Sequence, residues 1–115
     1  MKAYTNLEQS KKLAEILPLE SADGFYATDD NIIIPEPYIT YLNGERNIPA
    51  YKGAIPCWSL SALLIVLPQG TRLLKSATDE MYHCDCPKGN IDKWFDSPID
   101  AAFEMILKLH ELKML

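Results

Sequence analysis

Residues 80–112 read EMYHCDCPKGNIDKWFDSPIDAAFEMILKLHEL, and the spacing of their apolar residues changes once along the way. Through residues 81–86 the chain alternates. Tyr82, Cys84 and Cys86 share one side of an extended strand, and Met81, His83 and Asp85 share the other. From Pro98 onward the period is helical. Ser97 is a cap residue, Pro98 suits the first helical position, and Asp100 sits in the first turn, where a carboxylate meets free backbone amides. Asp100, Glu104, Lys108 and Glu111 make a narrow polar stripe, with Glu104 and Lys108 in the favourable i,i+4 order. The remaining positions, Ile99, Ala102, Phe103, Met105, Ile106, Leu107, Leu109 and Leu112, form an apolar arc wider than one sheet contact needs. The surplus predicts a second contact, with another helix or with a second copy of the chain. Strands followed by a helix predict an α+β fold.

The neighbouring segments complete that picture. Thr71–Lys75, Glu80–Cys86 and Ile91–Phe95 predict a three-stranded meander, with turns at 77–79 and 87–90 and a further turn at Gln69–Gly70. Ser59–Leu67 predicts a short helix with only Ser61 polar on its circumference, hence a buried central helix. Phe25–Thr28 and Asn31–Ile34 read as strands around an Asp29–Asp30 turn. Tyr38–Leu42 reads as a strand behind Pro35 and Pro37, and Asn43–Gly44 suits a two-residue hairpin returning through Glu45–Ile48. Pro49 and Pro56 bracket an irregular connection. At the start, residues 6–17 predict a helix with a Thr5/Glu8 capping box and with Leu7, Leu13, Ala14 and Leu17 inward; Pro18 ends it. The whole is a single domain over residues 1–115: three helices packed around a mostly antiparallel sheet.

Composition bounds the function. A chain of 115 residues with 48% hydrophobic content can build one core without disulfide or metal staples. A net charge of −5 argues against nucleic-acid binding, which favours a basic stripe. No apolar run is long enough for a membrane span, no signal peptide is visible, and three cysteines are an odd number for a secreted disulfide framework. These features predict a cytoplasmic protein with reduced thiols.

Three stretches carry a resemblance. They are Gln9–Asp23, Ile55–Leu60 running through Leu67–Pro68, and Ser97–Ala102 running through Leu109–Leu112. Together they resemble a family of small uncharacterised proteins of gut Bacteroides-type bacteria and their phages and prophages, over about half of the chain. The resemblance implies a setting, a cytoplasmic accessory protein of mobile-element origin. It implies no activity, cofactor or catalytic residue.

Candidate chemistry is sparse. Cys57, His83, Cys84 and Cys86 have zinc-ligand chemistry, but His83 lies opposite Cys84 and Cys86 on the strand and no second ligand pair follows. The structural reading of both strand cysteines is as small core residues. Cys57 precedes a helix, and His83 or His110 could serve it as a base in a thiol-dependent hydrolase. The competing reading is a buried cysteine beside Trp58. His110 falls inside the apolar face of the last helix. Glu20, Asp23, Asp29 and Asp30 lack calcium-loop spacing and read as turn residues and caps. No phosphate-cradling glycine loop occurs. Tyr26, Tyr38, Tyr41 and Tyr51 cluster in sequence and are candidate interface residues, since tyrosine favours buried interface centres. The resulting expectation is a non-enzymatic interaction module without cofactors. Its partner is an unknown protein or a second copy, with neither nucleic acid nor membrane involved.

Overall fold

The computed structural model describes residues 3–29, 32–33, 38–39, 41–42, 45–46 and 54–115. It is an α+β protein, with three α-helices and antiparallel strands among the described residues. The expected sheet is divided: among the described residues there are two three-stranded sheets and two two-stranded ladders. The chain falls into two compact units, 4–62 and 63–115 (with residues 1–3).

The first unit opens with α1, Leu7–Ile16. Its cap is Asn6 rather than Thr5. Asn6 Oδ1 accepts from Gln9 N at 2.8 Å, and Gln9 Oε1 accepts from Asn6 N at 3.0 Å, which closes a capping box one residue later than expected. Thr5 is shifted from capping to the interior. Its hydroxyl shares a hydrogen bond with Ser10 Oγ at 2.8 Å and accepts from Trp58 N at 3.1 Å. The inward face of α1 therefore carries Ser10 with Leu13, while Ala14 is exposed. A buried serine is tolerable because its hydroxyl is satisfied. The helix stops at Leu17, whose backbone is extended before Pro18, and one 3-10 turn follows at Leu19–Ser21.

β1 (Gly24–Tyr26), β2 (Thr28–Asp29), β3 (Ile32–Ile33), β4 (Tyr38–Ile39), β5 (Tyr41–Leu42), β6 (Glu45–Arg46) and β7 (Ile55–Cys57) follow. β2 and β3 pair as a hairpin shifted from the expected one: Asp29 is a strand residue opposite Ile32 rather than part of the turn, and Phe25 pairs instead with Tyr38 of β4 and Pro56 of β7; Asp30 and Asn31 lie outside the described residues. β5 and β6 pair with Leu42 opposite Glu45, the register that a two-residue loop imposes; Asn43–Gly44 lie outside the described residues, as do Pro35, Pro37 and Pro49. The first sheet has the order β4-β1-β7. Pro56 belongs to β7, opposite Phe25, and does not bracket an irregular connection. It is accommodated because β7 is an edge strand, where a missing N–H can face away from the ladder. α1 packs on β7, and Trp58, fully buried, follows at the end of that strand.

α2, Leu60–Val66, is shorter than expected and is not buried all round. Ala62 and Leu63 are buried, but Ile65 is 70% exposed and Leu64 38%. Apolar composition predicted burial, but how much of a helix is covered is set by what packs on it, and Leu64 and Ile65 are left uncovered.

The second unit contains β8 (Arg72–Lys75), β9 (Tyr82–Cys86), β10 (Gly89–Asn90) and α3 (Pro98–Glu111). The sheet order is β10-β9-β8. The third strand sits at 89–90, tighter than the expected 91–95, because Pro87–Lys88 alone make the turn. Phe95 still returns to the sheet as an isolated bridge to Tyr82. Gly70 turns the chain into β8 with φ of +87°, and a Cβ there would meet Pro87 Cγ at 3.0 Å. Tyr82, Cys84 and Cys86 are buried, as the alternation predicts, and α3 packs on β9. A Cβ on Gly89 would lie 3.1 Å from Leu109 Cδ2, so the missing side chain is what lets α3 approach β10.

α3 follows its sequence signals. Ser97 Oγ accepts from Asp100 N at 3.0 Å and Pro98 occupies the first turn. Ile99, Ala102, Phe103, Met105, Ile106 and Leu109 are buried, Leu107 is half-buried and Leu112 is exposed. Ser97→Ala should cost about 1 kcal/mol through the lost cap, read as a lower urea midpoint with unchanged m-value.

Candidate functional site

The solvent face of the second sheet carries an exposed aliphatic residue, Leu74, and an exposed aromatic one, Trp94. Leu74 on β8 lies opposite His83 on β9, and Arg72 opposite Asp85. His83 meets the Trp94 ring with centroids 5.3 Å apart, and its Nδ1 is 3.0 Å from the Lys93 carbonyl. Leu74, His83 and Trp94 thus form one row across the sheet. Leu74 is 40% and Trp94 41% exposed. One flank is polar: Arg72 Nη2 meets Asp85 Oδ2 at 2.5 Å. Lys93 Nζ lies 5.3 Å over the Phe95 ring, a cation–π contact that steadies the segment carrying Trp94.

A groove of about 670 Å³ lies between α3 and the segment after β10. Glu104, Leu107, Lys108, His110 and Glu111 form its helical wall, and Asn90, Ile91 and Asp92 the other. His110 was expected inside the apolar face of α3; it is exposed and lines this groove, next to Leu109, which is the residue of that turn that is buried against β10.

The sequence candidates for chemistry fall in different units. His83 is on the solvent face of β9 and His110 near the end of α3, both in the second unit, whereas Cys57 belongs to the first. Cys57 has no solvent exposure, and burial, aided by the nearby Asp23 carboxylate, pushes its thiol up to about 12. Cys84 is pushed up to about 11, first by burial and then by Cys86 and Asp85. A buried thiol with a raised pKa is a poor source of thiolate for attack or for metal binding. Cys84 and Cys86 face inward together while His83 faces out, and no group of three metal-type ligands occurs among the described residues.

Tyr26 is interior rather than available to a partner. Its hydroxyl donates to the Thr5 carbonyl at 2.7 Å, and burial followed by the neighbouring Cys57 raises its pKa. Tyr38 and Tyr41 lie in β4 and β5, and Tyr51 is outside the described residues. Of the four early carboxylates, Asp23 has a definite task. It accepts from Ser59 N at 2.8 Å and from Ser59 Oγ, while Ser59 Oγ accepts from Ala62 N at 3.2 Å, so the start of α2 is tied down across 36 residues. Sequence reading missed Trp94 and the Asp23–Ser59 pair. A signal for Trp94 was present, since Lys93 and Phe95 alternate around it as in a strand.

No helix among the described residues is long and apolar enough to cross a membrane. In comparisons with models of known families, with curated proteins and with solved structures, this chain finds no match.

Proposed function

We propose that this chain is a non-enzymatic protein-interaction module that receives its partner on the solvent face of the second sheet. The row Leu74–His83–Trp94 carries the reading. An exposed tryptophan already held by a neighbouring ring loses little conformational freedom on docking, and tryptophan is the residue most enriched at binding hot spots. The burial of Cys57 and its raised pKa work against the alternative of a thiol-dependent hydrolase. A cytoplasmic setting, as an accessory protein of mobile-element origin, is the part of the proposal supported by the resemblance and by the odd cysteine count.

The test is capture from a native host lysate with tagged wild-type chain and with Trp94→Ala, whose fold is checked by circular dichroism. A stoichiometric protein partner should elute with the wild type and fall at least tenfold with the variant, the loss typical of a hot-spot tryptophan. Equal recovery by both baits would move the docking surface elsewhere. Bait alone, sedimenting as a monomer, would overturn the interaction reading.

A further inference from the structure

The edge of the second sheet specifies what kind of partner segment it takes. β8 is at the edge of the order β10-β9-β8, and its outward backbone groups follow from β9. Tyr82 exchanges both of its backbone hydrogen bonds with Phe95, at 2.6 and 2.7 Å, so its N–H and C=O turn away from β8. Alternation then turns those of His83 and Asp85 towards β8, where Leu74 and Arg72 stand in register. Ser76 N, which donates to the Met81 carbonyl at 2.9 Å, continues the same phase. Leu73 and Lys75 are left with N–H and C=O pointing out of the edge, and among the described residues no strand pairs with that side. Donors and acceptors at alternate residues are a template for one more strand.

The side chains select the strand. The protein is acidic overall, yet residues 69–76 contain Arg72 and Lys75 and no carboxylate. Arg72 is met by Asp85. Lys75 is exposed and has no ion-pair partner among the described residues. Lysine on an edge deters indiscriminate pairing, and the same charge admits a segment that brings an acid. A second copy would bring the same two cations and no carboxylate on its own β8, against the charge pattern.

We propose that β8 is a strand-addition site for an extended acidic segment of a partner protein. The added strand bonds Leu73 and Lys75 through their backbones. It sets a carboxylate against the Lys75 ammonium and an aliphatic side chain beside Leu74. This rests on the interaction-module reading and names the partner chemistry of the same sheet.

The experiment selects a displayed library of random twelve-residue peptides on the immobilised full-length chain. Wild type should enrich peptides alternating Asp or Glu with Val, Ile or Leu. A selected peptide, resynthesised, should bind Lys75→Glu at least tenfold more weakly, and its charge-reversed version should recover binding to Lys75→Glu. Leu73→Pro, which deletes an outward N–H, should also abolish binding; Lys75→Glu, at an exposed site, decides the matter if that variant does not fold. Enrichment without acidic residues, or equal binding to Lys75→Glu, overturns the edge site. If such peptides are lost only with Trp94→Ala, the interaction module stands and its docking site is the face alone. No enrichment on any bait overturns the edge site, and with a monomeric bait that captures no partner the interaction reading fails with it.

Discussion

Trp58→Ala should destabilise the protein by about 3–5 kcal/mol, a large share of the roughly 5–15 kcal/mol that holds a domain of this size together. The side chain is completely buried, and its removal leaves a cavity that the surrounding strands cannot fill. It also strands polar groups. Trp58 Nε1 donates to Ser21 Oγ at 3.0 Å, and Ser21 Oγ in turn donates to the Pro18 carbonyl at 2.6 Å, which ties the 3-10 turn after α1 to the interior. Trp58 backbone closes the bridge between Thr5 and the end of β7, with Thr5 N donating to the Trp58 carbonyl at 2.9 Å. Trp58→Phe keeps most of the apolar volume and loses only the indole N–H, so it should cost about 1–2 kcal/mol. Urea unfolding followed by circular dichroism separates the two. Equal losses for Ala and Phe would assign the stabilisation to the hydrogen bond rather than to packing, and a loss below 1 kcal/mol for Ala would remove Trp58 from the core.

The elements legible in the sequence are those whose signals are local. α3 carries a cap, a first-turn proline, a carboxylate in the first turn and fourteen residues of periodic pattern, and it forms at Pro98–Glu111. The inward set Tyr82, Cys84 and Cys86 follows from strict alternation over five residues. Where the reading failed, a long-range contact decided the outcome. Thr5 looks like a cap because threonine caps helices; it is interior because Trp58 N and Ser10 Oγ, from distant and adjacent segments, both need its hydroxyl. Ser10 is drawn inward by the same contact, and Ala14, expected inward, is exposed. The apolar composition of α2 predicted burial, but how much of a helix is covered depends on its neighbours and not on its own composition. The docking surface was legible only in part. Alternation placed His83 outward, but the partner of His83 is Trp94, eleven residues away across a turn whose length the sequence misjudged. The tyrosine cluster that composition favoured includes Tyr26, whose hydroxyl is already spent on Thr5.

The buried thiols make the protein sensitive to alkali rather than reactive at neutrality. In the unfolded chain a cysteine ionises near its ordinary value of 9.0, whereas Cys57 in the folded chain holds its proton to about 12 and Cys84 to about 11. Below pH 9 both states keep the proton and the thiols contribute nothing to the pH dependence. Above pH 9 the unfolded chain releases protons that the folded chain retains, so stability falls with rising pH. Each thiol adds a slope of up to about 1.4 kcal/mol per pH unit, Cys84 up to about pH 11 and Cys57 up to about pH 12. Comparing slopes rather than absolute stabilities removes the packing cost of the substitution. Cys57→Ala should flatten the fall between pH 9 and 12 relative to wild type, and the double variant with Cys84→Ala should flatten it further up to pH 11. Parallel curves for wild type and variants would mean that the sulfurs ionise in the folded state as readily as in the unfolded. At pH 7.5 a shift of this size lowers the Cys57 thiolate population about a thousandfold, and the surviving thiolate has no path to solvent. Labelling by a disulfide reagent under native conditions should therefore proceed only as fast as the chain opens, and should accelerate with urea in step with unfolding. Rapid, urea-independent modification of Cys57 would restore the thiol-enzyme alternative, because only an accessible thiolate reacts that way.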